Sequence, residues 1–481
     1  MNKSLVRFVS GRILMMLGAL MLLPLLVSFY YHEPLQLKMG FGASILITEI
    51  LGLALSFKRP ASGRFHAREG LVICSLIWLL MSFLGALPLF FSGEVPHLAD
   101  AFFEIASGFT TTGASVIPSV EDLHRSLLFW RSFTHLIGGM GVLVFALALL
   151  PQSDADDVFI MKAEVPGPAF GKLTSSLRTT ARILYAIYLV MTGVLIVVLL
   201  LCGMPLFDAV CHAFGAAGTG GFGIKNDSVA SYPTSVQLVL SVAMLLFGIN
   251  FNLYYLLLLR KVRAFFKDEE LKWYLMIVVI ATGLICLSIY PLYRNRLIML
   301  RDAFFTVSSI ITTTGYSTAD FAQWPAFAHA VLLLLMFFGA MSGSTAGGLK
   351  ISRVMLYCKA AVAELRRQRE PGRVAPVILN QKPLSLQVQR SLFGYFTIYA
   401  AVFSFFLLIV SFDSPDFTTA FSAVAATFNN IGPGMEAVGP TANYAQYHPL
   451  IKVVFSLIMI CGRLEIWPIL ILFSLKTWKK A

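Results

Sequence analysis

The chain has 481 residues, 57% of them hydrophobic and only 13% charged, whereas a soluble protein carries about 25% charge. Apolar runs of about 20 residues recur from end to end, which excludes a long soluble domain and implies a polytopic membrane protein. The net charge of +12 reads as basic cytoplasmic loops and not as nucleic-acid binding.

In chain order, ten spans are predicted: 11–30, 41–57, 71–92, 126–150, 182–203, 235–259, 272–293, 328–355, 392–412 and 450–475. Residues 11–30 are too long for a signal-peptide core and lack a small-residue cleavage site, so they read as a retained first span. The six cysteines are scattered without a CxxC pair, so neither a disulfide nor a metal site of their making is expected.

The first two spans have no special stretch between them. The other eight form four pairs, and each pair brackets the same pattern. Asp100-Ala101-Phe102-Phe103 precedes Gly113 of Thr110-Thr111-Thr112-Gly113-Ala114-Ser115. Asp208-Ala209-Val210-Cys211 precedes Gly221 of Gly218-Thr219-Gly220-Gly221-Phe222-Gly223. Asp302-Ala303-Phe304-Phe305 precedes Gly315 of Thr312-Thr313-Thr314-Gly315-Tyr316. Thr419-Ala420-Phe421-Ser422 precedes Gly432 of Asn429-Asn430-Ile431-Gly432-Pro433-Gly434. The opening residue stands 13 residues before the glycine each time, so the chain carries an internal repeat.

Each unit reads span, short helix, turn, span, and two spans per unit give all units one orientation. The expected fold is an all-α polytopic membrane protein. Four parallel span–pore helix–filter–span repeats surround one pseudo-four-fold pore, with two extra N-terminal spans. The segments are 1–70 (the extra spans), 71–150 (repeat 1), 151–260 (cytoplasmic loop and repeat 2), 261–360 (repeat 3 with a broken helix) and 361–481 (cytoplasmic loop and repeat 4).

Non-helical backbone at membrane depth must be buried in protein or line water. Successive carbonyls face one axis only if the backbone alternates between left- and right-handed dihedrals, and glycine visits the left-handed region freely. The candidate cation filter is therefore Thr111, Thr112 and Gly113, Thr219, Gly220 and Gly221, Thr313, Thr314 and Gly315, and Asn430, Ile431 and Gly432. Packing of small residues explains Gly138, Gly139 and Gly141 better than it explains these four turns.

Basic residues cluster at the N-terminus, in the loops near 58–68, 260–272 and 350–390, and at the C-terminus. All fall on one side, so both termini are expected inside with the filters opening outward. Asp100, Asp208 and Asp302 then read as N-caps of the short helices. Glu104 is expected to find an internal partner. His135 and His212 read as packing histidines with no transport role.

From Gly339 to Gly348 helix propensity is poor, which predicts a break in the eighth span just below the filter. Arg463 lies in the last span, where a charge is costly and functional by default. Gly343, Ser344, Thr345, Ala346, Gly347 and Gly348 together with Arg463 are the candidate inner barrier, the guanidinium donating to loop carbonyls and repelling cations. Glu465 is too close in sequence to share the helix face of Arg463.

These residues resemble the Trk/Ktr/HKT superfamily of potassium transporters. The resemblance rests on the four filters, on Ala163-Glu164-Val165-Pro166-Gly167-Pro168, on Gly343-Ser344-Thr345-Ala346-Gly347-Gly348-Leu349-Lys350 and on Gly462-Arg463-Leu464-Glu465. It covers residues 71–475, and the two leading spans make the chain most like the bacterial Trk-type subunit. The resemblance implies K+ uptake in the bacterial cytoplasmic (inner) membrane through a pore that also accepts Rb+. It implies a homodimer gated by a cytoplasmic nucleotide-binding subunit, nucleotide acting only through that partner, and no covalent cofactor. Glycine at all four filter positions favours K+ over Na+. Gly220 and Ile431 depart from the pattern, since the threonine before the glycine is missing at both, so the ring cannot be four-fold symmetric. Coupled symport of K+ with H+ or Na+ stays open, although inverted repeats would be usual for it. No nucleophile, base or metal-ligand constellation suggests an enzyme.

Overall fold

The computed structural model describes residues 2–58, 67–141, 177–370, 376–380 and 382–478. Among them, regular structure is helical apart from a two-residue pairing of Ile378–Leu379 with Lys382–Pro383. The Ala163–Pro168 motif, residues 142–150 of the fourth expected span and most of the 151–181 loop lie outside the described residues.

Six helices are long and apolar enough to cross a bilayer: Lys3–Tyr30, Leu35–Ser56, Arg68–Ser92, Thr179–Leu201, Glu269–Leu292 and Leu386–Val410. Thr234–Phe247 and Phe251–Leu258 add a bent crossing with an 89° kink. The other expected spans begin as Arg125–Gly139, Ala326–Phe338 and Pro449–Arg463.

Two spans expected to be continuous are broken. Span 235–259 bends where Gly248 ends one helix and the Asn250 side chain caps the next by accepting from the Asn252 amide at 2.9 Å. Span 450–475 stops at Arg463, passes through Glu465 and Ile466 with φ of 56° and 70°, and restarts at Trp467. Pro468 sits in the first turn of the restarted helix, the place where its missing N–H costs nothing. The expected break in span 328–355 is present: residues 339–350 are not helical.

The two leading spans meet through small residues. A Cβ added to Gly11 would stand 2.6 Å from the Gly52 carbonyl oxygen, so glycine is what lets these backbones approach. Between the longer helices lie four short ones, Leu98–Phe109, Leu206–Gly218, Arg296–Ile311 and Phe417–Phe428. Their C-terminal halves are buried, as from Phe103 to Phe109 in the first.

Candidate functional site

Each short helix ends in the same way. Its last turn is closed by amides donating back to the helix, from Thr112 to the Ser107 carbonyl (2.8 Å), Gly220 to Gly215 (2.8 Å), Thr314 to Ser309 (2.9 Å) and Ile431 to Ala426 (2.8 Å). This is a left-handed C-cap. The left-handed residue is Thr111, Thr219, Thr313 or Asn430, with φ of 55°, 56°, 56° and 57°. Two residues later comes Gly113, Gly221, Gly315 or Gly432, with φ of 78°, 71°, 88° and 98°. The residue between is not left-handed in any turn. The backbone thus alternates as the sequence requires. Three of the four left-handed caps are β-branched threonines, which seldom adopt that conformation. Such strain gathers at ligand-binding turns.

The four turns touch one another in a closed ring. A Cβ added to Gly113 would collide with the Gly220 carbonyl oxygen, one on Gly221 with that of Thr314, and one on Gly315 with that of Ile431. One on Gly432 would stand 2.6 Å from the Thr112 oxygen. Each glycine is therefore required twice, by its dihedral and by the neighbouring carbonyl. Among the described residues no hydrogen bond ends on the carbonyls of Thr112, Gly220, Thr314 or Ile431. The Asn430 side chain strengthens the last junction by donating to Thr112 Oγ1 and to the Met459 carbonyl, both at 2.9 Å. The four glycines form the floor of an outer cavity of about 150 Å3.

Side chains from neighbouring units hold the ring. Tyr316 is buried and donates to the carbonyls of His212 and Phe222 at 3.2 and 3.4 Å, propping the second turn. Tyr444 donates to the Gly432 carbonyl at 2.9 Å. Glu104 finds the internal partner expected of it. It accepts from Arg131 Nε at 2.8 Å, the Ser115 hydroxyl at 3.0 Å and the Val116 amide at 3.0 Å, pinning the strand that leaves the first turn.

The aspartates are not N-caps. Asp100 and Asp208 lie in the first turn, three residues beyond His97 and Pro205, which hold the cap positions. Asp302 lies inside a helix that starts after Asn295. Their charges go to side chains instead. Asp100 pairs with Lys452 at 2.8 Å, Asp208 accepts from Tyr232 at 2.8 Å, and Asp302 accepts from Arg301 and Tyr293 at 2.9 and 3.1 Å. Only the fourth helix has an acidic cap, Asp416, which accepts from the Thr419 amide at 2.8 Å and hydroxyl at 2.7 Å. Those bonds hold its carboxyl below the usual range.

Directly beneath the ring runs the irregular stretch 339–350. Gly339, Gly343, Gly348 and Lys350 have φ of 67°, 71°, 71° and 68°. The Gly347 amide donates to Thr313 Oγ1 at 2.7 Å. A Cβ on Gly347 would meet the Asn429 carbonyl and stand 2.9 Å from Asn430 Cβ. Arg463 is the last residue of its helix and not mid-span as expected. It donates to Thr345 O at 2.6 Å and, across the molecule, to the Gly138 and Gly139 carbonyls at 2.6 and 2.7 Å. Gly343 to Gly348, Arg463 and the glycine ring thus meet in one place.

A family profile described as TrkH, cation transport protein, matches residues 37–480. The chain belongs to the TrkH family. It is 34% identical to the Trk system potassium uptake protein TrkH of Salmonella typhimurium, over 98% of each chain. It is 34% identical to the Trk system potassium uptake protein TrkG of Escherichia coli K12, over 100% of each. The crystal structure of the potassium transporter TrkH from Vibrio parahaemolyticus superposes with a TM-score of 0.89 at 30% identity, covering all of both chains. A TrkH-family chain is a multi-pass membrane transporter and not an enzyme.

Three supports of this TrkH-family site are not evident from sequence reasoning. Glu270 accepts from the amides of Ser342 and Ser352 at 2.7 and 3.0 Å, fastening both ends of the irregular stretch. Arg353 makes a two-pronged pair with Glu465 at 2.9 and 2.5 Å, joining the two broken spans. Lys350 is buried and donates to the Ala346 carbonyl. The findable signal was an acidic residue beside each break, Glu270 and Glu465, in otherwise apolar runs.

Proposed function

We propose that this protein takes up potassium across the bacterial cytoplasmic membrane through a K+-selective pore. The observation that carries the reading is the closed ring of four glycine turns, whose unpaired carbonyls suit a dehydrated cation. Thr111 to Gly113, Thr219 to Gly221, Thr313 to Gly315 and Asn430 to Gly432 line the path, and Rb+ is accepted with K+. The naming of the relatives as potassium uptake proteins supports the same ion.

Gly343 to Gly348 and Arg463 form the inner barrier. The guanidinium sets a fixed positive charge beside the path and ties three carbonyls together. The five segments keep their assigned boundaries: 1–70, 71–150, 151–260, 261–360 and 361–481. The charge bias of the loops puts both termini inside. The protein works as a homodimer docked on a cytoplasmic nucleotide-binding subunit that moves the barrier, the basic loops 151–181 and 350–390 being the docking surface.

Purified protein in proteoliposomes tests this. Rb+ uptake should exceed Na+ uptake, and the partner subunit should change its rate. Flux reversing at the K+ equilibrium potential marks a pore, whereas reversal that follows a pH or Na+ gradient marks coupled symport. Equal uptake of Na+ and Rb+ would overturn the reading.

A further inference from the structure

Two threonine hydroxyls brace the first turn from behind. Thr110 Oγ1 and Thr112 Oγ1 are 2.8 Å apart, and Thr110 Oγ1 donates to the Ala106 carbonyl at 2.6 Å. Thr312, Thr314 and Ser308 repeat both contacts in the third turn, at 2.8 and 2.6 Å. The matching positions of the second turn are Gly218 and Gly220, which have no side chain to brace anything.

His135 occupies the space they leave. A Cβ on Gly220 would stand 2.5 Å from both Cγ and Cε1 of the His135 ring. One on Gly218 would stand 2.6 Å from the His135 carbonyl carbon. The ring is fully buried and stacks on Phe222, the residue after Gly221, at 4.4 Å with 19° between planes. It therefore touches the second turn on both sides of its glycine. Neither ring nitrogen has a hydrogen-bond partner. An unpaired buried polar group is a cost, and it leaves the flat shape of the ring as what the site uses.

We propose that His135 is a positioning residue that takes the place of the absent threonine at 220 and holds the second turn at the spacing that separates K+ from Na+. The inference rests on reading the four turns as the filter. A turn free to close in would coordinate the smaller ion as well, whichever balance of cavity size and carbonyl field sets selectivity.

Rb+ uptake with Na+ in competition, measured in proteoliposomes, tests it with four variants. His135→Ala is expected to discriminate against Na+ about tenfold less than the unaltered protein. His135→Phe keeps the ring and should hold discrimination, at no lower unfolding temperature, because the unpaired nitrogens are gone. Gly220→Thr alone should lose uptake, since the ring stands in its way. Combined with His135→Ala it should recover, so the two changes are strongly non-additive. Full discrimination in His135→Ala, its loss in folded His135→Phe, or additivity of the pair would each overturn the inference. If His135→Ala does not fold, His135→Phe and the double variant decide. If the unaltered protein itself fails to prefer Rb+, the filter reading fails and not this one.

Discussion

At the glycine level the four units nearly superimpose in their chemistry. Each has a helix end, a left-handed residue with φ between 55° and 57°, and a glycine with φ between 71° and 98°. Just below, the same four units part company. One ends at Gly139, one bends at Gly248 to Asn250, one opens into residues 339–350, and one breaks at Leu464 to Ile466. The upper level needs equal contributions, because each glycine abuts the carbonyl of the next unit. The lower level needs something that fills the axis from one side only. One long loop, held by Glu270 at its ends and by Arg463 at Thr345, does that. Symmetry thus suits coordination and its loss suits closure.

The largest effect should come from breaking the upper level. Gly315→Ala forces a Cβ into the Ile431 carbonyl at a left-handed position, and the dihedral alone costs roughly 1–2 kcal/mol. Rb+ uptake should be abolished while the protein stays monodisperse on size exclusion. Arg463→Ala, at the lower level, should instead raise K+ flux. Loss of three charge-assisted bonds frees the loop, and a rise on the order of tenfold is expected in Rb+ influx. Unchanged or lower flux at normal expression would count against the barrier.

Thr313→Val probes the one hydrogen bond between the levels, from Gly347. It keeps the shape and removes an acceptor, about 1 kcal/mol, so influx should rise a few-fold with selectivity retained. The smallest effect belongs to the outer rim. Asp416→Ala removes a cap worth about 1 kcal/mol, and thermal stability should fall slightly with flux unchanged. Because bonding depresses the folded-state pKa of Asp416, its contribution is present at neutral pH. It is lost as pH falls below the ordinary carboxyl value of 3.8. The stability gap between Asp416→Ala and the unaltered protein should close there.

The upper level was legible because it is repeated and local. An offset of 13 residues from opening residue to glycine locates each turn, and the dihedral requirement names the glycine. The aspartates misled because they sit at the right end of the right helices. The chain enters those helices through His97, Pro205 and Asn295, three to seven residues earlier, and opposite charges then come from other units, as Lys452 does for Asp100. The breaks at Gly248 and Leu464 were hidden by continuous hydropathy, which records apolarity and not direction. At 339–350 the glycines are dense enough to show through. The Arg353–Glu465 pair joins residues 112 apart, a contact that only the folded chain reveals.

Anomalous X-ray scattering from crystals grown in Rb+ tests the central claim most directly. The account predicts a Rb+ peak on the axis enclosed by the carbonyls of Thr112, Gly220, Thr314 and Ile431, displaced by K+ and not by Na+. A Rb+ peak elsewhere in the membrane region with none inside the glycine ring would contradict it.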